Sequence, residues 1–180
     1  DQDDEHHYQP AYLFIPFGAY RREDAVKRRS RFIPDAVELV FGRVAKVEPE
    51  RNAVTLEDGQ ELAYDQLIVA TGTTPRPAET EGTLGDGWRK SVHEFYTLEG
   101  ALALRDAIER FEGGRFVVHI TEMPIKCPVA PLELAFLADA HFHERGIRDR
   151  VELVYVTPLD GAFTKPVAAK HLAHLLEEKK

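Results

Sequence analysis

The sequence predicts an α/β protein, with a β-meander in its first half and a mononucleotide-type unit of a doubly wound sheet in its second. Three observations carry that prediction. Apolar residues recur with a period of two between residues 37 and 70, and with helical spacing from Ala101 to Phe111. Residues 115–156 run strand, loop, helix, strand, the order of a mononucleotide-type unit. Between the two regions lies Gln66-Leu67-Ile68-Val69-Ala70, an almost wholly apolar run of the kind that a parallel sheet buries on both faces. The domain division expected from this pattern is 1–96 and 97–180.

The elements follow in order. Residues 1–20 are irregular and aromatic, and Tyr12-Leu13-Phe14-Ile15-Pro16-Phe17-Gly18 is apolar but broken by Pro and Gly, which predicts a buried loop or short edge strand. Arg21, Arg22, Lys27, Arg28, Arg29 and Arg31 mark a charged helical turn. A solvated face is its simplest reading, with an anion or membrane-surface contact as the alternative. Short strands are expected at 37–41, 42–48, 53–56 and 61–64. Asp58-Gly59 between the last two signals a hairpin with a type I′ turn. The 66–70 strand ends at Thr71-Gly72, and Pro75 and Pro77 open a loop running to about 96. Thr97 is placed to cap a helix reaching Phe111. Its stripe Ala101, Leu104, Ile108 and Phe111 marks one buried face, and Gly113-Gly114 stops it. A strand at 115–120, a loop at 121–130, a helix at 132–145 stopped by Gly146, a strand at 151–156 and a helix at 167–178 complete the pattern.

Composition narrows the function. Acidic residues outnumber basic ones by 31 to 23, and a net charge of -8 argues against general nucleic-acid binding, which needs a basic surface. No stretch approaches the roughly 20 apolar residues that span a bilayer. The start, Asp1-Gln2-Asp3-Asp4-Glu5, lacks the basic and then apolar opening of a secretory leader. The chain opens in a polar turn and stops inside a helical pattern, so a fragment is expected. The single cysteine, Cys127, excludes an internal disulfide and a four-cysteine zinc site, and fits a reducing, cytoplasmic compartment. No metal site is expected, because His6 and His7 are adjacent and His141 and His143 are two apart on a helix, so neither pair shares a face. His93 reads as a solvated loop histidine, with proton relay as the sharper alternative.

Two segments carry chemistry. A strand ending in Thr71-Gly72 lets backbone approach a ligand, since Gly72 has no side chain in the way. The other is the strand-to-helix loop Thr121-Glu122-Met123-Pro124-Ile125-Lys126-Cys127-Pro128-Val129-Ala130. A dinucleotide-binding unit places Gly-x-Gly-x-x-Gly there, so that a pyrophosphate reaches the helix N-terminus. This loop has no glycine, which argues against NAD(P)H at that position. It offers a thiol instead. With Pro131 expected at the first helical position, Cys127 precedes a helix start and adjoins Lys126, and both features favour a thiolate. An inert buried cysteine is the bland alternative.

The run Val54-Thr55-Leu56-Glu57-Asp58-Gly59 followed by Leu62-Ala63-Tyr64-Asp65-Gln66-Leu67-Ile68-Val69-Ala70-Thr71-Gly72 resembles a signature of pyridine-nucleotide-disulfide-type flavoproteins. Lys126-Cys127-Pro128-Val129-Ala130-Pro131-Leu132-Glu133, and then Arg145-Gly146-Ile147-Arg148-Asp149-Arg150-Val151-Glu152-Leu153-Val154-Tyr155-Val156-Thr157-Pro158, resemble the sulfide:quinone oxidoreductase and flavocytochrome c sulfide dehydrogenase group. The Asp4-Glu5-His6-His7-Tyr8-Gln9-Pro10 segment is similar to the same group. The resemblance implies a Rossmann-like FAD/NAD(P)-binding fold, with 1–96 as a partial FAD domain lacking its Gly-rich βαβ and 97–180 as the first part of the second domain. It implies FAD lying against Ala70, Thr71 and Gly72, with backbone at Val44 meeting the adenine and Asp1 meeting the ribose. It implies Cys127 as a redox-active catalytic cysteine, one of a pair whose partner this chain does not contain.

The resulting expectation is an FAD-dependent enzyme that oxidises sulfide, or another small sulfur compound, and passes electrons to a quinone or cytochrome. The fragment alone is expected to be inactive. Peripheral membrane contact is expected through parts of the full-length protein outside this chain, and homo-oligomerisation is left open. Two rivals stand beside it: an NAD(P)H-dependent flavin reductase of the same fold, and a non-catalytic sulfur-carrier or binding module with a persulfide on Cys127.

Overall fold

A computed structural model describes residues 1–179, which form two compact units: 1–8 with 23–74, and 9–22 with the described residues from 75 onward. In the first unit, β1 (Glu5–His7) pairs antiparallel with β2 (Val26–Arg28), which follows the single helical turn α1 (Arg22–Ala25). The charged 21–31 stretch is thus a turn, a short strand and a 3-10 turn. Arg29 ties this region together, with its Nη1 3.0 Å from Asp1 Oδ2 and its Nη2 donating to the carbonyl of Glu5.

The meander forms as expected: β3 (Val44–Glu48), β4 (Ala53–Leu56) and β5 (Glu61–Ala63) pair antiparallel in that order. Ala53, Val54 and Leu56 of the central strand are buried. The Asp58-Gly59 hairpin is real, but its turn differs from type I′. Gly59 has φ 90° while Asp58 is not in the left-handed region. Gly59 N donates to Leu56 O at 3.0 Å and Leu56 N to Gln60 O at 2.8 Å. That is a three-residue loop in which only the glycine turns left-handed, and the Asp58 carboxylate accepts from Gln60 N at 2.9 Å. The β3–β4 connection ends on Asn52 at φ 50°, a residue type that tolerates that conformation.

Two expected strands do not form. Residues 37–41 are irregular, and so are 66–70, where Ile68 is 89% and Val69 69% exposed. The physical reason is pairing. An apolar run becomes a buried parallel strand only between neighbours that supply a hydrogen-bond ladder, and residues 66–73 make no backbone hydrogen bond among the described residues.

The second unit holds the larger core. Here α2 (Leu98–Arg110) is capped by Thr97, whose hydroxyl accepts from Gly100 N. Next come β6 (Gly114–His119), α3 (Ala130–Glu144), β7 (Val151–Val156) and α4 (Pro166–Glu178). The two strands pair parallel and in register, Gly114 to Val151 through His119 to Val156. Leu104 and Ile108 of α2, Val118 of β6, and Leu134, Ala135, Ala138 and Phe142 of α3 form the core, joined by Leu13 from the 3-10 turn Gln9–Leu13. The 12–18 stretch is accordingly a buried pair of 3-10 turns. Phe142 is fully buried, with its ring 5.4 Å from both Phe111 and Phe116. Arg145 Nη1 donates to Ile108 O at 2.6 Å and so satisfies a carbonyl at the end of α2.

Candidate functional site

The expected residues fall in both units. Asp1, Val44, Ala70, Thr71 and Gly72 belong to the first and Cys127 to the second. In the first unit, Gly42 N donates to Asp1 O at 2.7 Å, which sets the chain start beside the approach to β3. The Asp1 carboxylate faces Arg29 and keeps 45% exposure. Val44 is half exposed at the head of β3. Ala70, Thr71 and Gly72 are exposed, with Gly72 at φ 76° and open space where a Cβ would stand. An unpaired, side-chain-free backbone at a left-handed glycine is a surface that a flat ligand can approach closely. These residues fit that role.

In the second unit, the loop after β6 carries Cys127 into solvent rather than into the core. Its backbone is left-handed, with φ 52°, in a residue type that rarely adopts it. The Cys127 carbonyl accepts from Ala130 N at 3.0 Å, the first amide of α3. Leu132 N and Glu133 N both donate to Val129 O at 3.0 Å, and Pro131 has no N–H. Pro131 is the second helical residue, because α3 starts at Ala130. The first-turn amides are therefore already partnered, and this helix start has little to offer a phosphate. The Lys126 ammonium is taken up by Gln9, whose Oε1 accepts from its Nζ.

The segment leading into α2 is a part of this neighbourhood that sequence reasoning missed. The Glu94 carboxylate is 18% exposed and accepts from Tyr96 N (2.6 Å), Thr97 N (3.0 Å), Thr97 Oγ1 (2.7 Å) and Arg89 Nη2 (2.9 Å). Tyr96 Oη in turn donates to Cys127 O at 3.5 Å. Thr97 as a cap was the legible signal, and a Glu three residues before it was the clue to the rest. His93 departs from the solvated reading: both its ring nitrogens are buried and, among the described residues, neither meets a partner in normal hydrogen-bond geometry, and the same holds for Arg89 Nη1. Burial holds the imidazole below its ordinary value, and the Arg89 charge acts in the same direction. No group of three or more His, Cys, Asp or Glu among the described residues is placed to hold a metal. No described helix is long and apolar enough to cross a membrane.

No family model matches the chain. It is 25% identical over 180 residues to the mitochondrial sulfide:quinone oxidoreductase of Mus musculus, covering 99% of this chain and 40% of that protein. It is 28% identical over 154 residues to the mitochondrial sulfide:quinone oxidoreductase of Dictyostelium discoideum, covering 85% of this chain and 34% of that protein. Among solved structures, the sulfide:quinone oxidoreductase of Aquifex aeolicus matches with a TM-score of 0.78 and 21% identity, over 99% of this chain and 42% of that one. The chain thus spans well under half the length of these relatives. The structural match shows the Rossmann-like FAD/NAD(P)-binding fold class. The similarity to sulfide:quinone oxidoreductases extends along essentially the whole chain.

Proposed function

We propose that this chain, similar from end to end to sulfide:quinone oxidoreductases, is the part of an FAD-dependent oxidoreductase that carries its sulfur nucleophile, Cys127. One observation supports the reading most. The chain's only cysteine is solvent-exposed, in a glycine-free loop between a parallel strand and a helix, where a phosphate-binding turn otherwise stands. A structural cysteine is usually buried, and this one is not.

Residues 1–96 serve as the partial FAD domain and 97–180 as the beginning of the second domain. Val44, Ala70, Thr71 and Gly72 hold FAD by backbone contact, and Asp1 accepts from its ribose. Bound FAD supplies a two-electron acceptor. At the protein, the Cys127 thiolate and HS⁻ join as a persulfide anion, with release of one proton and two electrons. The electrons leave for a quinone or a cytochrome, at a peripheral membrane contact outside this chain.

Anaerobic addition of sulfide to the full-length protein tests the reading through the flavin absorbance bands. Bleaching by sulfide that is lost in Cys127→Ser is the expected result. Bleaching by NADH alone overturns it in favour of a nicotinamide-dependent reductase, and absence of flavin bands overturns it altogether.

A further inference from the structure

The buried polar atoms of His93 and Arg89 sit in a closely tied turn. Gly87 O accepts from Lys90 N, Ser91 N and Val92 N, each at 2.9 Å, and Arg89, at φ 61°, donates its N–H to Val92 O at 2.8 Å. The Arg89 guanidinium lies over the Trp88 ring, 4.9 Å from its centroid, and donates from Nη2 to Glu94 Oε1 at 2.9 Å. Glu94 in turn holds the start of α2, because its carboxylate accepts from Tyr96 N, Thr97 N and Thr97 Oγ1, and the Thr97 hydroxyl caps the helix by accepting from Gly100 N. The Arg89–Glu94 ion pair therefore ties the first turn of α2 to the turn that carries His93. Burial does most to hold the imidazole below its ordinary value. The charges of Arg89 and of Arg110, at the far end of α2, act in the same direction, and the Lys90 backbone and the Glu94 carboxylate oppose them. An imidazole that is neutral in the closed turn and free to charge in an open one favours closure above its ordinary value, near 6.5. It favours opening as pH falls below that value.

We propose that residues 87–97 form a pH-sensitive latch on the start of α2: protonation of His93 puts an imidazolium among buried groups that include the Arg89 guanidinium, the Arg89–Glu94 ion pair gives way, and the segment opens. Both ring nitrogens are shut away from water with no partner of normal geometry among the described residues, so a proton on either finds neither solvent nor an acceptor in the closed turn. Arg89 Nη1 is equally unprovided for, so the neighbouring cation does nothing to accommodate a second one. Moving the ring into water satisfies both charges and takes Glu94 away from the helix cap. Tyr96 lies in the same segment and its hydroxyl reaches the Cys127 carbonyl, so opening also frees that side of the 121–130 loop.

Hydrogen exchange of the peptides covering 94–101 tests the latch in the full-length, FAD-loaded protein at pH 7.5 and pH 5.5, with each rate taken relative to the unstructured peptide at the same pH. In wild type, protection of this stretch is expected to fall by up to about tenfold at pH 5.5, one unit below the ordinary imidazole value, while protection of β6 and β7 holds. In His93→Phe, which keeps a ring that cannot charge, the fall is expected to shrink to less than about twofold. Carboxylates titrate in both proteins, so the difference between them reports His93. Should His93→Phe fail to fold, His93→Gln is expected to behave in the same way. Equal protection of 94–101 at the two pH values in wild type overturns the proposal without any variant, and so does a fall as large in the uncharged variants as in wild type. Exchange is read without sulfide, so this outcome stands apart from the sulfide-bleaching test.

Discussion

Cys127 holds a left-handed backbone, φ 52°, in which an L side chain crowds the following carbonyl at a cost of about 1–2 kcal/mol. Glycine does not suffer that cost, although it loses about 0.5–1 kcal/mol more to backbone entropy on folding. Cys127→Gly is therefore expected to leave the urea midpoint unchanged or raise stability by up to about 1 kcal/mol, while sulfide no longer bleaches the flavin. A clear loss of stability would show that the cysteine is held for packing. Asp139 presents the opposite case. It is 4% exposed, and its carboxylate meets Arg148 Nε at 2.7 Å and Lys179 Nζ at 2.6 Å. Burial pushes this carboxyl up, but the hydrogen bonds and charges of Arg148 and Lys179 outweigh it, and the net direction is below the ordinary value. A carboxyl depressed in the folded state contributes stability above its unfolded value, near 3.9, and loses it as pH falls further through the folded value. Asp139→Asn is expected to lower stability by about 2 kcal/mol at pH 7, and the difference from wild type should shrink below about pH 4. Urea unfolding at pH 7 and pH 3 measures both.

At the scale of elements, the start of α2 depends on the Glu94 carboxylate filling the space beside Gly100. Replacing glycine by alanine in a helix normally stabilises it by about 1 kcal/mol. Here the added methyl meets both the side chain and the backbone of Glu94, so Gly100→Ala is expected to lower the melting temperature instead. An increase would mean that the clasp yields freely. The elements legible in the sequence were those whose cause is local. Thr97 caps α2, Asp58-Gly59 turns the hairpin, and the apolar runs of β6 and β7 find each other across one crossover. The less legible features depend on distant groups. The turn type at Gly59 reflects the register of β4 and β5. The burial of the His93 ring nitrogens reflects packing that loop composition does not encode. The Glu94 clasp joins a carboxylate to four donors, only one of which, the Thr97 hydroxyl, marked itself as part of a cap.

For the whole molecule, the two units differ in how complete they are. The second closes a core around Phe142, while the first leaves Leu67, Ile68 and Val69 exposed at 40%, 89% and 69%. Such a run is a strand awaiting a ladder, and its sequence announced the strand without the neighbours that a strand requires. In this chain the amides of 66–72 are expected to exchange with solvent nearly as fast as an unfolded peptide, and those of β6 and β7 far more slowly. Protection of 66–72 would show pairing that the structure does not contain. Of the candidate site, the sequence marked Cys127 and the Gly72 turn, because both are exceptions to local rules: a thiol in place of glycines, and a glycine ending an apolar run. The most direct measurement of the central claim is peptide mass mapping of the full-length, FAD-loaded protein after one equivalent of sulfide without acceptor. An added sulfur atom on Cys127 together with a reduced flavin is the predicted result. A reduced flavin with Cys127 unmodified, or an equal extent of reduction in Cys127→Ser, would contradict it.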